Sequence, residues 1–288
     1  MTYPGCMHEP LEPATMQRTE PLPQRPPALL LDIDGVLVVS WQPIDGALEA
    51  IRSVRAAGTP IRMLTNTTSR SRHSVVEALR TAGFEAAEDE IVTAPIATAE
   101  YLREHFEGAT AALLCSGDVT TDLATSGVDL VDLTGTDIPE RTDAVVIGGA
   151  GDEFSYEALN RAFNLVLNGA SLIAMHRGLS WRTSAGMQLD TGAFLTGLER
   201  ASGVEATVIG KPEPAMFAAG LANLGVAPSE AVMIGDDIDA DVRGAQAAGL
   251  TGVLVRTGKF RAQVLDSPGA APDLVTDSIV SALAALGY

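Results

Sequence analysis

From Ala28 onward, short unbroken apolar runs alternate with stretches of helical periodicity, and few folds accommodate that alternation. Residues 28–31, 61–64, 206–209, 231–234 and 252–255 read as strands. Between them, residues 46–57 carry Leu48, Ile51, Val54 and Arg55 at helical spacing and stop at Gly58. Residues 71–82, 214–224 and 238–248 repeat the pattern and stop at Gly83, Gly225 and Gly249. Apolar strands without polar alternation must be covered on both faces, which predicts a parallel sheet between two layers of helices.

The stretch 96–185 repeats this theme on its own. Residues 111–114, 128–131, 144–147 and 171–174 read as strands, and 98–105 and 156–168 as helices. The segments that carry chemistry lie on either side of it, which favours an inserted second domain over extra strands of one sheet. The expected fold class is α/β: a Rossmann-like doubly wound parallel sheet interrupted by a smaller α/β cap. Core is expected at 28–95 and 186–288, and cap at 96–185. Residues 1–27 hold seven prolines, from Pro4 to Pro27, among few large apolar residues, and read as an extended or disordered tail.

The chain of 288 residues carries 37 acidic and 19 basic side chains, a formal net charge of −18. That excess argues against nucleic-acid binding, which needs a basic face. Two cysteines, Cys6 and Cys115, make no disulfide framework and fit a reducing cytoplasm. No apolar run is long enough to span a bilayer, and the N-terminus reads as no signal peptide, so no membrane partner is expected.

Ligands of open parallel sheets bind outside the carboxyl ends of the strands, so the residues after each strand are the informative ones. They are Asp32 and Asp34; Thr65 and Asn66; Gly210 and Lys211; and Gly235, Asp236, Asp237 and, one helical turn on, Asp241. Clustered carboxylates repel one another when ionised. A hard cation such as Mg²⁺ offsets this and prefers oxygen ligands. With a lysine, a hydroxyl and backbone N–H groups, such a site suits a phosphoryl group. An aspartate can attack phosphorus to form an aspartyl-phosphate, and a second acid can serve the leaving oxygen and then the water. Asp32 and Asp34 would face one side of an extended strand, and Gly35 would let the chain turn away.

The four motifs Asp-Ile-Asp-Gly-Val, Thr-Asn-Thr-Thr, Gly-Lys-Pro-Glu and Gly-Asp-Asp-Ile-Asp-Ala-Asp, in that order, resemble those of the haloacid dehalogenase superfamily. The resemblance covers about residues 28–260. Within the superfamily it is to phosphatases with a class-two cap, in the subgroup that contains phospholysine phosphohistidine inorganic pyrophosphate phosphatase and p-nitrophenylphosphatase-like enzymes. It implies Asp32 as nucleophile and Mg²⁺ ligand, and Asp34 as acid/base with its carbonyl on the metal. Thr65 and the backbone of Asn66 would hold the phosphoryl oxygens, and Lys211 would bridge nucleophile and phosphoryl group. Asp236 would ligate Mg²⁺, supported by Asp237 and Asp241. Thr67 stands where many relatives have Asn. Fold analogy adds self-association through the cap.

These features imply a Mg²⁺-dependent phosphatase of small phosphorylated metabolites. Cleavage of P–N or P–O–P bonds on the same site, and a non-catalytic phosphometabolite-binding protein, are the alternatives. Outside the motifs, residues 147–151 read as a cap loop, and 258–261 either borders the site or is a polar loop, the latter being favoured. His176, Arg177 and the loop beyond them read equally as substrate-facing or surface.

Overall fold

The computed structural model describes residues 22–183 and 186–288. Two parallel sheets organise it. The first has six strands in the order Leu274–Thr276, Thr251–Val255, Ala231–Gly235, Ala28–Asp32, Ile61–Thr65 and Ile91–Thr93. Leu29 pairs with Val232 on one side and Ile61 on the other, so the first strand in sequence sits at the centre.

The unbroken apolar strands have the predicted cause. Leu29, Leu31, Ile61, Met63, Val232 and Ile234 enter one buried cluster with the helices Ala47–Ala56, Arg72–Thr81 and Ile279–Ala285. Leu30, Leu64 and Met233 enter another, with the helices Ala94–His105 and Pro214–Leu221. Both faces of the sheet are thus packed, as parallel sheets require.

The second sheet has five parallel strands in the order Thr207–Val208, Ser171–Ala174, Ala144–Ile147, Thr110–Leu114 and Asp129–Asp132. Its Ala112, Leu114, Val145 and Ile147 pack on the helices Tyr156–Leu167 and Thr191–Ser202. Its opposite face joins the cluster that holds Leu30 and Phe217. One continuous apolar layer therefore runs from the core sheet into the inserted domain.

Two boundaries differ from the sequence expectation. The strand expected at 206–209 is not in the core sheet: Val208 pairs with Ala174 at the edge of the second sheet. The inserted sheet therefore spans residues 110–208 rather than closing by 185, because two residues of strand suffice to extend an existing parallel edge. Residues 22–27, expected in the tail, dock on the C-terminus. Gln24 Nε2 donates to Ala285 O (2.9 Å) and Arg25 N to Leu286 O (2.7 Å). The rest of the expected tail, 1–21, lies outside the described residues. Among the described residues no helix is long and apolar enough to cross a membrane.

Phe217 is fully buried in the layer shared by the two sheets. Phe217→Ala is expected to cost about 3–5 kcal/mol, from lost transfer energy and the cavity left behind. A urea titration followed by tryptophan fluorescence would show the unfolding free energy in water falling by that amount and the midpoint moving down with it.

Candidate active site

Four neighbouring strands of the core sheet end at one edge: Thr251–Val255, Ala231–Gly235, Ala28–Asp32 and Ile61–Thr65. The order of the chain reverses between Ala28–Asp32 and Ala231–Gly235, which opens a crevice at their carboxyl ends. Asp32 closes one of these strands, and Asp236 comes directly after the other.

The loop after Asp32 folds back tightly. The amides of Val36, Leu37 and Val38 all donate to Ile33 O, at 3.0–3.4 Å. Gly35 adopts φ 91°, and a Cβ there would collide with Asp236 Oδ2. Glycine is needed for both reasons. Asp34 is half-buried in this loop, and burial raises its pKa above the ordinary carboxylate value, against the fields of Lys259, Lys211 and Arg70.

After Gly235 the chain makes a wide helical turn, Ile238–Arg243, in which Val242 N reaches Asp237 O, five residues back. Such wide turns recur at functional sites. Asp237 caps the turn, its Oδ1 accepting from Asp239 N and Ala240 N (both 3.1 Å). The turn also brings Asp241 inward, where Asp237 N donates to its Oδ2 at 3.0 Å.

Lys211 arrives from the loop after the edge strand Thr207–Val208 of the inserted sheet. Asn66 fastens this loop: its Oδ1 accepts from Lys211 N (2.9 Å), and its Nδ2 donates to Lys211 O (2.8 Å). Lys211 Nζ lies 2.6 Å from Asp32 Oδ1 and 2.7 Å from Asp241 Oδ1, and donates to Leu64 O at 3.3 Å. Burial alone would lower the pKa of this lysine; the Asp241 and Asp32 carboxylates outweigh burial and raise it, so it stays charged.

Thr65 is also buried. Its hydroxyl donates to Thr67 Oγ1 (2.9 Å) and accepts from Thr67 N (3.1 Å). Thr67, the departure from the family pattern, thus holds the Thr65 hydroxyl in place.

One buried lysine, with the exposed Lys259 nearby, does not balance three buried carboxylates. Asp32, Asp236 and Asp241 are all buried, with carboxylate oxygens within 4.8 Å of one another. Burial, reinforced by the charges of Asp32 and Asp241, pushes Asp236 up to about 8. Burial also raises Asp241, with Asp32 and Asp237 adding to the shift and Lys211 opposing it. Asp236 Oδ2 accepts from Lys259 N at 2.5 Å, while its Oδ1 is buried with no hydrogen-bond partner among the described residues. An orphaned anionic oxygen in an all-oxygen cluster fits a hard divalent cation. Asp34, expected to offer a carbonyl rather than its carboxylate, stands outside the trio. Asp241, expected in a supporting role, stands within it while also holding Lys211.

The loop 257–259 overlaps the stretch 258–261, for which the sequence favours a polar loop over one bordering the site; it packs against Gly35 and Asp236. Thr257 Oγ1 donates to Gly35 O, and Gly258 packs so closely on Asp236 that a Cβ would collide with its carboxylate. A signal for it exists in the sequence: the loop comes after the strand Thr251–Val255, at the same sheet edge. His176 is likewise no surface residue. It is buried, with Nε2 3.3 Å from Thr68 Oγ1 and 3.5 Å from Asp190 Oδ1, while its Nδ1 accepts from Gly178 N at 3.0 Å.

Comparison with known proteins agrees with this geometry. Residues 29–129 match the family model of haloacid dehalogenase-like hydrolases, and residues 208–282 a related HAD-hydrolase-like model. Haloacid dehalogenase-like hydrolase domain-containing protein 2 of Bos taurus is 38% identical over 256 residues, 89% of this chain and 94% of that protein. Phospholysine phosphohistidine inorganic pyrophosphate phosphatase of Rattus norvegicus is 35% identical over 261 residues, 88% and 92% of the two chains. The p-nitrophenyl phosphatase of Archaeoglobus fulgidus superposes with a TM-score of 0.82 at 28% identity, covering 91% of this chain and all of that one. A glycerol phosphate phosphatase of Mycobacterium tuberculosis, solved with magnesium, gives 0.79 at 27% identity, over 91% and 76%. The chain belongs to the haloacid dehalogenase-like hydrolases. Within them it is a phosphatase of the capped p-nitrophenylphosphatase type, which sets aside the non-catalytic reading.

The buried carboxylates make stability depend on pH. Asp236 titrates near 8 in the fold and near 3.8 in the unfolded chain. Between those values the native state holds a proton that the unfolded state has released, so metal-free stability falls as pH rises. Mg²⁺ should take over that compensation. In EDTA the melting temperature is expected to fall from pH 5 to pH 8. Mg²⁺ at 100 times its Kd at pH 8 should restore about 2–3 kcal/mol there, and the same concentration less at pH 5, where protons compete for the carboxylates. Asp236→Asn should weaken both responses in the same thermal scans.

Proposed function

We propose that the protein is a Mg²⁺-dependent phosphatase that releases phosphate from small phosphorylated metabolites through an aspartyl-phosphate on Asp32. The observation that carries this reading is the contrast between the two acids of the first motif. Asp32 is buried among Lys211, Asp236 and Asp241, whereas Asp34 lies outside the trio, with burial holding its pKa above the usual carboxylate range.

The residues divide the chemistry accordingly. An Asp32 oxygen attacks phosphorus, and the bond from phosphorus to the leaving group breaks. Asp34 supplies its proton to the leaving oxygen. Asp34 then takes a proton from water, whose oxygen attacks the aspartyl-phosphate, freeing phosphate and restoring the Asp32 carboxylate. Lys211 sits against Asp32 and meets the phosphoryl oxygens as negative charge builds there. The Thr65 hydroxyl and the Asn66 amide complete the cradle, and the Asn66 side chain keeps Lys211 in register. Asp32, the Asp34 carbonyl and Asp236 would hold Mg²⁺, with Asp237 and Asp241 supporting it; when bound it would neutralise carboxylate and phosphoryl charge together.

The likeness to a phosphatase named for phospholysine, phosphohistidine and inorganic pyrophosphate supports a second reading of the scissile bond, P–N or P–O–P. The use of only two cysteines supports a cytoplasmic enzyme. Exposed Leu179, Met187 and Leu189, at the hairpin Ser180–Thr183/Gly186–Leu189, support self-association through the inserted domain.

Phosphate release over a panel of sugar, nucleotide and polyol phosphates, pyrophosphate and phospholysine, with Mg²⁺ or EDTA, tests the reading. Activity should vanish in EDTA. Asp32→Asn should fall at least about 10⁴-fold, and Asp34→Asn about 10²–10⁴-fold, the usual worth of a general acid. Wild-type turnover in Asp32→Asn would rule out the covalent route.

A further inference from the structure

The inserted sheet has a strand-order reversal of its own, between Thr110–Leu114 and Ala144–Ile147. That is where an open sheet ordinarily receives a ligand. Here the crevice receives part of the core instead. Gly117, at φ 87°, lies so close to the Ser69 backbone that a Cβ would collide with the Ser69 carbonyl. A Cβ on Gly149 would likewise press on Thr68 O. Thr68 Oγ1 accepts from Gly149 N at 2.8 Å, and the Cys115 thiol donates to Thr68 O at 3.4 Å. The segment seated in the crevice starts three residues after Thr65.

Just beyond it, the helix Arg72–Thr81 begins with backbone N–H groups that its own turn cannot satisfy. Two acids of the inserted domain meet this end. Asp118 Oδ1 accepts from Ser71 N (2.6 Å), while its Oδ2 accepts from Ser71 Oγ (2.8 Å) and Ser74 Oγ (2.6 Å). Asp122 Oδ2 accepts from Arg72 N at 2.6 Å. These bonds are short and charge-assisted, and two carboxylates at a helix N-terminus also meet its dipole favourably. Burial works against ionisation of Asp118, but the hydrogen bonds from Ser74 and Ser71 outweigh it and hold its pKa below the usual range. Asp118 is therefore an anion where the helix needs one.

We propose that Asp118 and Asp122 are positioning residues for phosphate release: the inserted domain completes the start of a core helix, so that the loop presenting Thr65 takes its working geometry only while that domain is docked. The inference rests on the role of Thr65 given under Proposed function. It makes domain docking and assembly of the phosphoryl cradle one event. Loss of the tie should therefore impair every substrate alike, including a small aryl phosphate that asks nothing of the inserted domain. A wall that merely selects leaving groups would affect bulky substrates only.

The test separates positioning from helix capping. Asp118→Ala is expected to lower kcat for p-nitrophenyl phosphate about 10–100-fold, the usual effect of a misplaced catalytic group, and to lower the melting temperature. Asp118→Asn, which keeps one acceptor oxygen, should recover part of both, and it serves as the test variant should the alanine variant not fold. Adding Ser71→Asp to Asp118→Ala supplies a carboxylate to the helix from the core itself. This double variant should regain melting temperature while kcat stays low. Full recovery of kcat in it would reduce Asp118 to a helix cap and overturn the proposal. So would a kcat for Asp118→Ala within twofold of wild type, or a loss confined to bulky substrates. Asp32→Asn stands apart as the control for the underlying reading: if it were fully active, the cradle assignment itself would fail, whatever Asp118 does.

Discussion

Three carboxylates brought together out of water at the end of a parallel sheet are the constraint around which the rest of this molecule is arranged. Asp32, Asp236 and Asp241 repel one another, and Lys211 supplies one compensating charge at 2.6 and 2.7 Å. Asp32 and Asp236 are set by strands packed on both faces, and Asp241 by the wide turn that follows, whose Asp237 N donates to its carboxylate. Lys211 comes from the far edge of the other sheet and depends on Asn66 to hold its backbone. A buried Asp236 oxygen has no hydrogen-bond partner among the described residues, and the excess of negative charge around it is what a divalent cation and a phosphoryl group would resolve.

This arrangement ties the two domains together beyond the apolar layer they share. The lysine enters from the inserted domain, and the loop that carries Thr65 continues into the crevice of that domain's sheet. Both tight approaches fall on glycines, Gly117 and Gly149. Gly35 and Gly258 play the same part around Asp236. At each place the backbone comes closer than any side chain would permit, and that closeness sets polar groups at fixed distances.

Much of this architecture is legible in the sequence. Apolar runs without alternation imply a doubly covered parallel sheet, and the residues just past the strand ends include Asp32, Thr65, Lys211 and Asp236. The hidden parts are elements whose identity depends on a partner. Ile91–Thr93 is only three residues long and runs directly into a helix. Thr207–Val208 is a strand only because Ser171–Ala174 lies beside it. Asp118 and Asp122 carry no signal in the sequence, since nothing local shows that a helix of the other domain begins against them. The loop 257–259 is concealed for a different reason: its contribution is largely backbone, the Lys259 amide and the close approach of Gly258, and side-chain chemistry does not advertise it.

The central claim is that Asp32, the strand-end acid held by Lys211, is the group that receives the phosphoryl. Acid-quenching the Mg²⁺-loaded enzyme during turnover, followed by peptide mass spectrometry, tests it most directly. The expected product is a peptide containing Asp32 heavier by one phosphoryl group, acid-stable, lost in hydroxylamine and missing in Asp32→Asn. A phosphoryl group mapped to any other residue, or none captured while product accumulates in a burst, would contradict it.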